Sequence, residues 1–238
     1  MSQIELPKKD KLDCFRQSFK TGKNEDPLNV KTAIILGYLD VCRKPLKGLK
    51  QSLEDGCNES PKIVRDRFIK DHFIPAIDCL MNDMVDFDQW HRNMCTCIRC
   101  FYAKKGYESF TVGKAQKWIN MSLKYIYFYS NERENFSKYL NKLHVPIDRV
   151  MANHIAVLIH ELPGYERYTF KALGDSFDAE KANYCWSKID DYDQYLDCQK
   201  RIRNKLVEGC HDAISGYHGR LLISRLLRTE VPDTIKFL

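Results

Sequence analysis

The segment GKAQKWINMSLKYIYFY, Gly113 to Tyr129, limits the possible folds more than any other stretch of the chain. A helical period of about 100° per residue puts Lys117, Asn120 and Lys124 on one polar stripe. Trp118, Ile119, Met121, Ile126 and Phe128 then spread around the remainder. Such a helix belongs in a core. Its lysines serve either as the solvent edge or as reactive groups.

The rest of the chain repeats the helical period, and no alternating segments are joined by Asn-Gly or Asp-Gly hairpin signals. An all-α bundle is expected. Residues 28–54 read as helix bent or split near Pro45. Ser60 is the expected N-cap of the next helix, with Pro61 at its first position, and Pro75 should kink or divide that segment. A further helix over 86–105 should end at Gly106, and the Gly113 segment should be helical from about Lys114 to Tyr129. A shorter helix falls in 130–143, and another comes after HVPID. Two more are expected, in Ser187–Val207 and Gly219–Val231.

With 238 residues, 44% hydrophobic and 12% aromatic, the chain can bury a core, which excludes disordered and collagen-like classes. One or two closely packed helical subdomains are expected, divided as 1–105 and 106–238. Lysine and arginine exceed aspartate and glutamate by 38 to 32, a mild excess compatible with a polyanionic partner. No run of eighteen apolar residues and no apolar signal core are present, so no membrane partner is expected. The ten cysteines are therefore expected as reduced thiols in the cytoplasm. Rossmann and P-loop glycine patterns are absent, and no cofactor is expected.

HVPID, residues 144–148, has a definite local reading. Val145 precedes proline and is pushed toward extended geometry, Pro146 suits a first helical turn, and Asp148 then falls near a helix N-terminus. Backbone N–H groups and the helix dipole favour a carboxylate there. Ordinary helix-start chemistry explains that much.

From about Phe110 to Ile159 the order of these residues resembles the helix-hairpin-helix DNA glycosylase superfamily, closest in flavour to the archaeal-type 8-oxoguanine glycosylases. Bifunctional members carry a catalytic lysine at the start of one helix and a catalytic aspartate after a VPVD-like turn that opens the next. The resemblance implies a DNA N-glycosylase, with or without AP lyase activity, acting on an oxidised purine, with DNA as partner. Asp148 takes the aspartate's place. Two lysines compete for the other: Lys117, which begins KWINMSLK, and Lys114, which follows the hairpin-like TVG. Lys117 is favoured, because Thr111 replaces the first hairpin glycine and Lys114 follows Gly113 directly.

In that reading the lysine amine attacks the sugar C1′ in its neutral form, and Asp148 stabilises the positive charge that develops. Lys114 and Lys124 are candidate neighbours that depress its pKa. An extruded base needs an aromatic or apolar surface, for which Trp186 comes first, with Trp90 and Met121 behind it. An aromatic at a helix boundary is more often a core plug. Asp190 and Asp191 are candidates for reading a base edge, or are simply helix-start acids. Phosphates are assigned to the backbone around Thr111 and Gly113, to Lys124, and to Arg220, Arg225 and Arg228 on the last helix. His91, Cys95, Cys97 and Cys100 have metal-like spacing, but thiols on one continuous helix point in different directions, so no metal is expected. The alternatives are a non-catalytic helical protein for nucleic-acid binding or antiviral defence on the same scaffold, and a helical protein-interaction module.

Overall fold

Caps and prolines divide the helices close to where the sequence marks them. The computed structural model describes residues 29–42, 46–83, 85–130, 135–136, 138–139, 141–159, 162–163 and 184–212. Helix α1 spans Val30–Cys42 and α2 spans Leu49–Cys57, so the expected break falls in the interval that contains Pro45. Ser60 caps α3, Pro61–Phe68, by accepting from the Ile63 N–H. Pro75 does not end that helix. A π-helical turn, Ile69–Phe73, precedes it and leads into α4, Ile74–Asn82, with the Ile74 N–H bonded to the Ile69 carbonyl. A proline ring inside an α-helix strikes the carbonyl four residues back, and the wider turn makes room for it.

Asp86 caps α5, Phe87–Ala103, by accepting from the Asp88 and Gln89 N–H groups. Gly106, at φ +90°, ends this helix as expected, and the Tyr107 N–H returns to the Tyr102 carbonyl at 2.9 Å. Only glycine enters that left-handed region readily. Helix α6 spans Val112–Tyr129 and starts two residues earlier than the sequence suggests, because Thr111 is its N-cap. Helix α7 is Arg149–Ile159, a 3-10 turn covers Trp186–Lys188, and α8 is Tyr192–Asp212. Within 130–143 the described helical residues are Asn135 and Phe136. The expected last helix, with Arg220, Arg225 and Arg228, lies outside the described residues.

The fold is all-α, and the described residues contain no strand. Its largest core centres on Trp118 of α6, whose indole N–H donates to the Ile34 carbonyl of α1 at 3.0 Å. Tyr38, Phe68 and Phe73 surround that ring at centroid distances of 5.0, 5.4 and 5.4 Å. Fully burying side chains of this size contributes roughly 2–3 kcal/mol each. A second core joins Val145, Ile147, Ile155 and Ala156 to Tyr195 and Ile202 of α8. Val112 at the start of α6 belongs to this second core, while Trp118 and Ile126 belong to the first, so both cores share α6. Among the described residues no helix is long and apolar enough to cross a membrane.

Candidate functional site

The polar stripe of α6 is not its solvent edge. Gln116 and Asn120 are buried, and Lys117 and Lys124 are mostly covered. Groups this polar persist in an interior only when hydrogen-bonded, and here they form a seam between the two cores. Asn120 donates to Gln116 Oε1 and to Tyr195 Oη, both at 3.0 Å, and its own oxygen meets His91 Nε2 at 3.0 Å. His91 Nδ1 lies 2.8 Å from Tyr192 Oη. His144 Nδ1 lies 3.0 Å from Tyr195 Oη, and His144 Nε2 lies 2.9 Å from Asp88. Arg203 closes the seam with two bonds to Asp88, at 2.8 and 2.7 Å.

These partners settle the Nε2 protons. Asn120 Oδ1 and the Asp88 carboxylate only accept, so each histidine donates from Nε2; Tyr195, which accepts from Asn120, turns its hydroxyl proton to His144 Nδ1, and the Tyr192 hydroxyl stands between His91 Nδ1 and the Asp88 carbonyl, 3.3 Å away. Both rings are neutral. Burial pushes both imidazoles below the usual histidine range; for His91 the nearby His144 adds to the effect, and for His144 the Asp88 carboxylate opposes it. Burial opposes ionisation of Asp88, but bonds from His144 and Arg203 hold its carboxyl far below the ordinary aspartate range.

The seam fixes the HVPID turn. Gln199 of α8 takes both backbone groups of Val145, accepting from its N–H at 2.9 Å and donating to its carbonyl at 2.8 Å. Asp148 then caps α7, its Oδ1 accepting the Met151 N–H at 2.9 Å. Its other oxygen, Oδ2, lies 3.4 Å from Lys117 Nζ. The Lys117 ammonium also stands over the indole of Trp186, 4.7 Å from the ring centroid. Lys117, Asp148 and Trp186 therefore meet at one place, contributed by α6, the cap of α7 and the 3-10 turn.

Lys124, two turns along α6, is the second amine here. Burial pushes its pKa down to about 8, opposed by Asp40 and Asp148 and reinforced by Lys117. Lys114 points elsewhere: its buried Nζ donates to the Ser109 carbonyl and to Tyr107 Oη at 3.4 Å. Of the two candidate lysines, Lys117 is the one that reaches Asp148.

The remaining candidates have structural partners. Trp90 is a core residue whose indole N–H donates to the Ala76 carbonyl at 3.0 Å, and Met121 is buried in the first core. Neither takes the open stacking position given to it from sequence, because each packs in the apolar interior between helices. Asp191 caps α8, accepting the Asp193 and Gln194 N–H groups at 2.8 and 3.1 Å. Asp190 accepts the Val112 N–H at 3.3 Å and pairs with Arg99 at 2.8 Å.

The backbone amides at the start of α6, assigned to a phosphate on sequence grounds, are already bonded within the chain. Gly113 donates to the Ile189 carbonyl at 2.8 Å, and Lys114 donates to Thr111 Oγ1 at 3.3 Å. The segment 186–190 fills the position an anion would take. No metal-like group of three or more His, Cys, Asp or Glu side chains occurs among the described residues. His91 uses both ring nitrogens in the seam, and no disulfide joins the described cysteines.

Gln116, Gln199, Asp88, Tyr195 and Arg203 escape detection from sequence because helix periodicity marks them as ordinary polar surface. The adjacency of Gln116 to Lys117 is the one signal that sequence offers for them. Compared with family models, curated proteins and solved structures, the chain matches none of them.

Proposed function

We propose that this chain is a DNA N-glycosylase with associated AP lyase activity toward an oxidised purine. The convergence of Lys117, Asp148 and Trp186 carries the reading. Lys117 gives up a proton to Asp148, and the neutral amine attacks C1′. The C1′–N bond to the base breaks, its electron pair leaves with the base, and the proton that Asp148 took from Lys117 passes to the departing base, which returns Asp148 to its carboxylate. Opening of the sugar ring leaves a protonated Schiff base between Lys117 and C1′. Loss of a C2′ proton then expels the 3′ phosphate, which is the lyase step. Asp148 offsets the positive charge developing on the sugar, where a fixed carboxylate is most effective in a site screened from water. Trp186 supplies the face against which an extruded base stacks.

Borohydride trapping on duplexes carrying 8-oxoguanine, other oxidised purines or an abasic site tests this reading. Wild-type protein is expected to form a covalent adduct, and Lys117→Gln to form none while remaining folded. Lys114→Gln should keep the adduct. Asp148→Asn should slow excision more than it weakens DNA binding. DNA binding without an adduct on any of these duplexes would reject the enzyme and leave the non-catalytic binding protein, with Lys117 and Asp148 as a structural ion pair.

A further inference from the structure

We propose that Gln116 is the positioning residue that sets Asp148 against Lys117, an inference that rests on the glycosylase reading for its catalytic consequence. Gln116 is fully buried and its one amide makes four hydrogen bonds. Nε2 donates to the carbonyls of Ile147 at 2.9 Å and Gly113 at 3.0 Å. Oε1 accepts from the Ile147 N–H at 3.2 Å and from Asn120 at 3.0 Å. Two donors and two acceptors are the whole capacity of a primary amide. The side chain has one orientation in which all four are satisfied.

The two bonds to Ile147 imitate the exchange between paired strands, with a side-chain amide in place of the second backbone. Gln199 does the same at Val145. Pro146 lies between them and has no N–H to satisfy. The extended turn is therefore held at alternate residues, from α6 on one side and α8 on the other. Gln116 adjoins Lys117 and Ile147 adjoins Asp148, so two consecutive residues of α6 grip two consecutive residues of the turn. The 3.4 Å separation of Lys117 and Asp148 is set by a backbone template one residue away. Packing alone does not fix the backbone from which Asp148 projects; this template does, and the Met151 N–H then directs the carboxylate.

The test uses the full chain with Gln116→Met, which keeps the volume and removes the four bonds, and Gln116→Glu, which keeps an acceptor for Ile147 and removes the donor. Gln199→Met is the comparison at the far end of the turn. Three quantities are measured: exchange protection of the Ile147 amide, affinity for a duplex carrying a tetrahydrofuran abasic analogue, and the single-turnover excision rate on an 8-oxoguanine duplex. Gln116→Met is expected to lose Ile147 protection and to excise about 100-fold more slowly, the scale of a displaced catalytic group. Its affinity for the abasic duplex should be unchanged, a split that general unfolding does not produce. Gln116→Glu is expected to follow Gln116→Met in rate and serves in its place if the methionine variant does not fold. Gln199→Met should slow excision less, because Val145 is further from Asp148. Wild-type excision by the Gln116 variants, or an equal loss in Gln199→Met, would overturn the proposal. If the wild-type chain excises nothing, the glycosylase reading fails by itself; Ile147 protection retained in Gln116→Met would then overturn the template as well.

Discussion

Gly113→Ala should be among the most damaging single-methyl additions to this protein, and the damage should spread from stability to the site. A Cβ built on Gly113 lies 2.0 Å from the Trp186 carbonyl oxygen, 3.1 Å from its carbonyl carbon and 3.3 Å from Ile189 Cβ. Ordinary contact begins near 3.4 Å, so the turn at 186–189 must retreat by about 1.4 Å. Bonds on both sides oppose that movement: Gly113 N–H to the Ile189 carbonyl at 2.8 Å, and Thr111 Oγ1 to the Ser187 carbonyl at 2.6 Å. Overpacking against backbone costs about 1–3 kcal/mol, and each hydrogen bond stretched beyond use adds about 1 kcal/mol. The expected loss is about 3 kcal/mol, which in a chain of this size lowers Tm by about 6–12 °C. Displacing the turn also takes Trp186 off Lys117, so its indole emission should shift toward that of a solvated tryptophan. Calorimetry and fluorescence on the same sample check both parts. A Tm within about 2 °C of wild type with unshifted emission would show that the turn does not bear on Gly113, and the geometry assigned to Trp186 would fall with it.

Other perturbations act through the same elements. His91 and His144 stay neutral when folded but gain protons when unfolded, so stability should fall as pH drops below about 6.5, by up to about 2.7 kcal/mol per pH unit while both titrate. Asp88 adds a further loss below about 3.9, where the unfolded carboxyl takes up a proton that the folded one refuses; urea unfolding from about pH 7 to about pH 3 reads both, and a profile flat above about pH 4 would remove the neutral histidine pair. Lys124 gives up its proton near pH 8 when folded and near 10.4 when unfolded, so stability should rise between those values, and Lys124→Met should flatten the rise. An unchanged slope in that variant would mean that Lys124 is solvated. Gly37→Ala places a Cβ 2.4 Å from Ser122 Oγ and 2.7 Å from Ser122 N across the α1–α6 contact, so it too should lower Tm by several degrees. A Tm equal to that of wild type would show that the two helices can slide apart.

Local chemistry is legible where it is written in neighbouring residues. Ser60 before Pro61, Gly106 after the cysteine-rich helix and Asp148 after Pro146 each declare a terminus through groups one to three positions away. The pairing of Lys117 with Asp148 is legible only as an order of motifs, since 31 residues separate them. The hydrogen-bonded seam is not legible. His91, Asn120, His144 and Tyr195 lie on three helices and a turn, and no period in the sequence reveals that their polar faces point at one another. Pattern also misleads at the start of α6. The amides there read as open to an anion because Thr111 and Gly113 look like a hairpin, whereas the chain from Trp186 to Asp190, over seventy residues later, occupies them.

The π-helical turn at Ile69–Phe73 bears on which lengths of this segment the fold accepts. Five residues there complete the rotation that four complete elsewhere, so the turn is in effect one extra residue inserted without changing the facing of the helix beyond it. Phe68, Phe73, Ile77 and Leu80 all reach the core across it. Removing one residue of the turn would leave Ile77 and Leu80 aimed inward as before, yet would press the Pro75 ring against the carbonyl four positions back. The insertion and the proline are thus a matched pair. A shortened segment should fold when Pro75 is replaced by alanine and fail when it is kept, so permitted changes of length and of residue at this point are coupled.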